Sequence, residues 1–369
     1  MKAEEENAGE RDRAHPVKAE TAGAGGGGGT GSAEGTGSAE GTGGARGTGG
    51  GGRKHKLIPA PFIVGVARSG TTLLRMMLDA HPDLAIPPET HFLPRLIRLS
   101  EELKEQDVPE PESRRAIRDF LVSHPRWDDF GLSKHEFDER LEQEPRFNPR
   151  WVSRAFYEAY AKQHGKPRWG DKTPAYIGKM IQIHETLPEA RFIHLIRDGR
   201  DVALSLSEVQ WGTDDARTAA LRWKEEIRTA RRRARSNMQP RFYTELRYED
   251  LVAEPERRLR KVVEFIDLPW DEAMLSYHLT AEERMREVAR DLSGEGGTTI
   301  SADARARQHS LVSEPPQTNR SGRWKTEMST ADREVFESVA GRMLERLGYE
   351  VENPGNEGNS EGDDEVGDD

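Results

Sequence analysis

The chain has 369 residues, no cysteine, 33% charged residues and a formal net charge of −11. Without cysteine it has neither disulfides nor thiolate metal ligands, which suits a reducing compartment. Eight acidic residues fall within 351–369, leaving about −3 on the rest, so a surface that coats nucleic acid is not expected.

Residues 1–56 are Gly, Ala, Thr, Glu and charge, with Gly-Ser-Ala-Glu-Gly-Thr standing twice in tandem from Gly31 to Thr42. Such a stretch has almost no apolar area to offset the entropy of ordering, and it is read as a disordered tether. Residues 351–369 carry only acidic charge and are read as a disordered acidic tail. Residues 57–350 then form one domain with a substantial core. No run is long enough to span a bilayer, and the first thirty residues lack the apolar segment of a signal peptide, so a cytoplasmic protein without stable membrane insertion is expected.

The domain opens with Pro61-Phe-Ile-Val-Gly-Val66, a continuous apolar run expected to be a strand buried on both faces. A glycine loop and the helical spacing of Leu73 to Leu78 follow directly. Helical patterns fill the region to Gly165 as an insertion, among them a capping box at Ser133-Lys-His-Glu136 and an amphipathic stretch from Trp151 to Gln163. Further strand–helix units are expected around Arg168 to Leu187, at Arg191 to Ile196 followed by Asp198 to Val209, and at Phe242 to Arg247 followed by Pro255 to Ile266. Thr330 to Leu347 reads as a terminal helix. The fold class is therefore α/β, a P-loop-like parallel sheet flanked by helices with a helical insertion, and ligands belong at the carboxyl ends of its strands.

Gly65-Val-Ala-Arg-Ser-Gly-Thr-Thr72 keeps the glycine spacing and final hydroxyl of a P-loop, but Thr71 stands where a nucleotide triphosphatase has lysine. Inward N–H groups and the following helix still hold an anion, while the charge that reaches a γ-phosphate is lost. Arg68 restores a positive charge nearer the turn. In Arg197-Asp-Gly-Arg-Asp-Val-Ala-Leu-Ser205 an arginine at a strand end precedes a serine two turns into a helix, so both can reach one phosphate. The plainer reading has Asp198 capping the helix while Arg197 and Arg200 pair with carboxylates.

These segments, with Glu89-Thr-His-Phe-Leu-Pro-Arg95, Trp169-Gly-Asp-Lys-Thr-Pro174, Tyr248-Glu-Asp-Leu251 and the surroundings of Trp324, resemble the superfamily of sulfotransferases that use 3′-phosphoadenosine 5′-phosphosulfate. They are most similar to its tyrosylprotein sulfotransferase branch and related bacterial enzymes, in the order of elements from Phe62 to Leu347. The resemblance implies that Arg68, Ser69, Gly70, Thr71 and Thr72 hold the 5′-phosphosulfate, and that Arg197 and Ser205 hold the 3′-phosphate. It also implies that Tyr248 contacts the nucleotide and that Arg323 or Lys325 closes over it. The insertion between about Arg95 and Gly165 is then the acceptor side. His91 stands where the tyrosine-sulfating members have an arginine that meets an acidic acceptor, and their cysteine pairs and membrane anchor have no counterpart here, so the acceptor hydroxyl is left open among peptide tyrosine, sugar and lipid.

Sulfuryl transfer needs an in-line acceptor and stabilised charge on the leaving oxygen, and no metal. Glu89 follows two prolines just before a helical stretch expected near Thr90, where it can take the acceptor proton or merely favour the helix dipole. The resemblance makes it the base. Lys172, at a strand-to-helix junction with Thr173 and Pro174 as cap and first helical residue, would stabilise the bridging oxygen; a solvated turn lysine is the alternative. Glu89, Lys172 and Arg68 thus form the expected catalytic set. His81 and His194 are expected to be structural. A nucleotide kinase and a noncatalytic adenine-nucleotide module are the competing functions.

Overall fold

The structure, a computed structural model, describes residues 57–143, 147–209, 212–293, 299–303, 305 and 310–352. The tether to residue 56 and all but the first two residues of the acidic tail lie outside the described residues.

In chain order the elements are β1 (Ala60–Val64), α1 (Thr71–Asp79), β2 (Leu84–Ala85), α2 (Leu93–Glu105), α3 (Glu110–Val122), α4 (Lys134–Glu142) and α5 (Pro149–Gln163). Next come β3 (Arg168–Trp169), β4 (Asp171–Lys172), α6 (Met180–Thr186), β5 (Ala190–Ile196), α7 (Gly199–Ser207), α8 (Ala216–Asn237) and β6 (Tyr243–Arg247). The last are α9 (Tyr248–Ala253), α10 (Pro255–Phe265), α11 (His278–Arg286), β7 (Leu292–Ser293), β8 (Thr299–Ile300), α12 (Trp324–Glu327) and α13 (Thr330–Arg346).

The central sheet has the order β4-β1-β5-β6 with every pairing parallel, Phe62 beside Asp171 and Phe192, and Phe192 beside Tyr243. Side chains of a strand alternate between faces, and both faces here are covered. Phe62 and Phe192 enter the core built with α2 and α5, whereas Ile63, Ile193 and Leu195 enter the one built with α1, α9 and α10. All five are 0% exposed, and each such burial contributes about 1.5–3 kcal/mol. This explains why β1 reads as an unbroken apolar run. A third core joins α7, α8 and α13 around Trp223 and Phe336.

The insertion is helical as expected. Ser133 Oγ accepts the N–H of Glu136 at 3.0 Å, the N-cap bond of the expected box, and donates to the Glu136 carboxylate at 2.8 Å, so α4 starts where the motif places it. Two boundaries differ from the sequence reading. The helix after Glu89 begins at Leu93, because Pro94 suits only a first helical turn. Pro174 opens a 3₁₀ stretch, Pro174–Lys179, and Thr173 supplies no side-chain cap. Among the described residues no helix is long and apolar enough to cross a membrane.

Candidate active site

Each strand of the parallel sheet ends in a residue of one site. β1 runs into the glycine loop, β4 ends on Lys172, β5 is followed by Arg197 and β6 by Tyr248. Parallel order with helical crossovers brings these four ends to one edge, where α1 presents its N-terminus.

The loop needs its two glycines for different reasons. A Cβ at Gly65 would lie 2.5 Å from the Leu195 carbonyl oxygen, so glycine lets β5 approach. Gly70 has φ +90°, and a Cβ there would lie 2.5 Å from the Tyr248 ring. Gly70 caps α1 without a side chain, which leaves the first N–H groups of that helix without a side-chain acceptor. Ser69 is 1% exposed, and its hydroxyl has no hydrogen-bond partner.

Arg68, itself at φ 71°, donates through Nε to Ser205 Oγ at 3.0 Å. Arg197 donates through Nη1 to the Arg68 carbonyl at 3.1 Å and through Nη2 to the Arg320 carbonyl at 2.6 Å. Its guanidinium lies 4.8 Å from the centre of the Tyr248 ring, and its buried Nε has no partner. The nearest carboxylate, Asp201, is 3.9 Å away. Arg200 behaves as the plainer reading said: it is 0% exposed, paired with Asp198 at 2.8 Å and Glu337 at 2.6 Å, and stacked on Trp324. Asp198 also caps α7. One arginine of the motif is thus structural, while the other keeps unspent donors beside the loop.

Across the site, Lys172 Nζ donates to Glu89 Oε1 at 2.7 Å and lies 3.5 Å from Thr72 Oγ1. Glu89 Oε2 is 2.9 Å from His91 Nε2. Burial alone would raise the proton affinity of Glu89, but the Lys172 charge and the His91 contact hold its carboxyl well below the usual range. The pair is fixed from beneath. Thr90 donates its N–H to Thr173 Oγ1 at 3.0 Å and its hydroxyl to Asp171 Oδ2 at 2.7 Å, and Tyr157 donates to the same oxygen at 2.9 Å. Burial pushes Asp171 up to about 6 despite those hydrogen bonds.

A cavity of about 440 Å³ joins these groups, within the range of small-ligand sites. Arg68, Gly70, Thr71, Thr72, Glu89, Lys172, Arg197, Ser205, Tyr248 and Arg323 all line it. Ser69, 1% exposed, and Lys325 do not; the Lys325 ammonium holds Glu350 at 2.8 Å. The structure also reveals residues the sequence reading missed. Arg126 and Arg320 line the cavity, and Asp201 accepts the N–H groups of Gly322 at 2.7 Å and Trp324 at 2.9 Å, tying the late loop to α7. His81 and His194 are core groups, bonded to Pro269 and Tyr243 respectively.

Residues 59–272 match the Sulfotransferase family. Among curated relatives, the Drosophila melanogaster protein-tyrosine sulfotransferase is 30% identical over 228 residues, 60% of this chain and 40% of that protein. Protein-tyrosine sulfotransferase 1 of Danio rerio is 26% identical over 322 residues, 82% of this chain and 76% of that one. The chain therefore spans less than half the length of the fly relative. Among solved structures, the sulfotransferase domain of the Synechococcus PCC 7002 olefin synthase has a TM-score of 0.52 at 23% identity, covering 79% of this chain and 95% of that one. The sulfotransferase domain from the curacin biosynthetic pathway has 0.53 at 21%, covering 80% and 99%. These two share the fold. A P-loop without its lysine, four parallel strand ends around one cavity and a match over more than half the chain agree, and the chain belongs to the sulfotransferase family, enzymes that transfer a sulfuryl group.

Proposed function

We propose that the donor is 3′-phosphoadenosine 5′-phosphosulfate and that an acceptor hydroxyl attacks its sulfur in line while Glu89 takes the hydroxyl proton. The observation that carries this reading is the 2.7 Å contact of Lys172 with Glu89 on the wall of the cavity that also holds the glycine loop, Arg197 and Ser205. An ionised carboxylate and a cation then stand beside an anion cradle, a base and a charge stabiliser close to one reacting centre. Arg197, which lines the cavity with its Nε unpartnered, suits a ligand rich in acceptor oxygens.

In this reading Arg68, Ser69, Gly70, Thr71 and Thr72 hold the 5′-phosphosulfate, and Arg197 with Ser205 holds the 3′-phosphate. Tyr248 and Arg323 flank the nucleotide. The donor supplies the sulfuryl group and a 5′-phosphate leaving group; Lys172 and Arg68 stabilise the negative charge that develops on the bridging oxygen. Residues 57–350 carry the activity. A peptide tyrosine is the first acceptor to test, since the curated relatives are protein-tyrosine sulfotransferases.

The experiment is incubation of the full chain with sulfur-labelled donor and separate panels of tyrosine peptides, glycans and hydroxylated lipids, followed by identification of the labelled product. A sulfate ester on one panel is the expected result. Tight binding of 3′-phosphoadenosine 5′-phosphate without transfer to any panel would instead mark a noncatalytic nucleotide module.

A further inference from the structure

His91 occupies an unusual backbone position between two anchored residues. Thr90 before it is 0% exposed and bonded to Asp171 and Thr173, and Phe92 after it is 1% exposed and packed edge-on against Phe156. His91 itself has φ 55°, and the Phe92 N–H donates to the Thr90 carbonyl at 2.6 Å. A three-residue turn closed by an i to i+2 bond with a positive φ at its centre is rare and strained. Strain of this kind persists where the surroundings overdetermine it, and it clusters at functional sites.

The outcome of the turn is a contact. The imidazole, 35% exposed and lining the cavity, sets Nε2 at 2.9 Å from Glu89 Oε2, while Lys172 takes Oε1 at 2.7 Å. Lys172, Arg126 and Arg68 also act on the Glu89 carboxylate, and His124 and Asp171 lie near His91. We propose that His91 is a positioning residue for sulfuryl transfer: its Nε2–H grips one oxygen of Glu89 and so reserves the other for the acceptor proton.

The inference rests on Glu89 being the base. During transfer the acceptor O–H bond breaks and its proton passes to Glu89 Oε1. An oxygen–sulfur bond forms at the acceptor, and the sulfur–oxygen bond to the leaving phosphate breaks with its electron pair on the phosphate oxygen. Lys172 turns from Oε1 to that oxygen as charge develops there. Without His91, Glu89 would be tethered only by the cation that must leave it, and its carboxylate would be free to rotate as the proton arrives.

The test compares His91→Phe, which fills the space but donates nothing, with His91→Gln, whose amide nitrogen can reach the same oxygen. Glu89→Gln runs in parallel. His91→Phe is expected to lower kcat by about tenfold or more with donor affinity unchanged by calorimetry, and His91→Gln to stay within about threefold of the parent. The pH profile is the second readout. Loss of a donor to an ionised carboxylate raises its proton affinity, so the acidic limb of kcat/KM should move to higher pH in His91→Phe and stay in place in His91→Gln.

Unchanged kcat and an unchanged limb in His91→Phe, with Glu89→Gln inactive, overturn the role of His91 alone. Equal loss in the Phe and Gln variants, with donor binding intact, also overturns it. Near-parental turnover of Glu89→Gln removes the base assignment itself. Loss of donor binding in His91→Phe would show a structural residue and overturn the proposal.

Discussion

Lys172 and Glu89 hold each other at 2.7 Å, although the proposed mechanism needs each at a different atom of the reaction. The Lys172 charge helps hold the Glu89 carboxyl well below the usual range, and burial lowers the proton affinity of the ammonium, which is 3% exposed; in the proposed mechanism the first is the base and the second meets the leaving oxygen. Glu89→Gln should therefore lower turnover severely with donor affinity nearly unchanged. Lys172→Ala should lower it by about a hundredfold or more with some loss of donor binding. A very acidic phenol scarcely needs a base and should partly rescue only the first variant. Steady-state rates with phenols of graded acidity check this, and equal rescue of both variants would remove the division of roles.

Arg197 and Ser205 meet through Arg68, whose Nε bonds Ser205 and whose carbonyl accepts from Arg197. Substituting either Arg197 or Ser205 by alanine should weaken binding of a 3′-phosphorylated adenine nucleotide much more than that of its analogue without the 3′-phosphate, because only the former presents the group that the proposed binding mode assigns to them. Calorimetry on the two nucleotides decides. Equal weakening would move the 3′-phosphate elsewhere.

Gly70→Ala combines a left-handed backbone with a Cβ 2.5 Å from the Tyr248 ring. It should destabilise the fold by about 1–3 kcal/mol and displace Tyr248, lowering donor affinity as well. Denaturant unfolding and nucleotide titration together test it. A variant with parental stability and affinity would mean that Tyr248 yields freely and does not shape the site.

What the sequence made legible follows from how locally each feature is encoded. The glycine loop and Arg197 stand directly after apolar runs, so strand, turn and helix can be read in succession. Lys172 was harder, since β4 is only two residues long and its place beside β1 comes from the parallel pairing of Phe62 with Asp171. The apolar pattern alone puts the start of α2 three residues too early, near Thr90, although Pro94 carries the signal. The His91 turn has no sequence signature, because its positive φ is imposed by neighbours fixed to residues about eighty positions away. Arg126 sits in no motif at all. That Arg323 lines the cavity and Lys325 does not is a tertiary matter, which no local signal around Trp324 encodes.

Asp201 shows the same limit and gives the sharpest remaining test. It lies one helical turn after Arg197 and reads as an ordinary first-turn acid of α7, yet its carboxylate is 0% exposed and spans to residues more than 120 positions on. Oδ2 accepts from Gly322 and Oδ1 from Trp324, while the Arg320 carbonyl accepts from Arg197. The late loop thus hangs from the helix that carries Ser205, and Arg323 reaches the cavity from that loop. Asp201→Ala strands two backbone N–H groups, each worth about 1–3 kcal/mol if left buried and unpaired, so the loop should instead swing out to water. Donor affinity is expected to fall by about tenfold or more, and trypsin should cut after Arg320 and Arg323 much faster than in the parent. Asp201→Asn, which retains one acceptor oxygen, should fall between the two. If Asp201→Ala keeps both its donor affinity and its resistance to trypsin, the loop is held by Arg200 stacking on Trp324 and the carboxylate is only a helix-end charge.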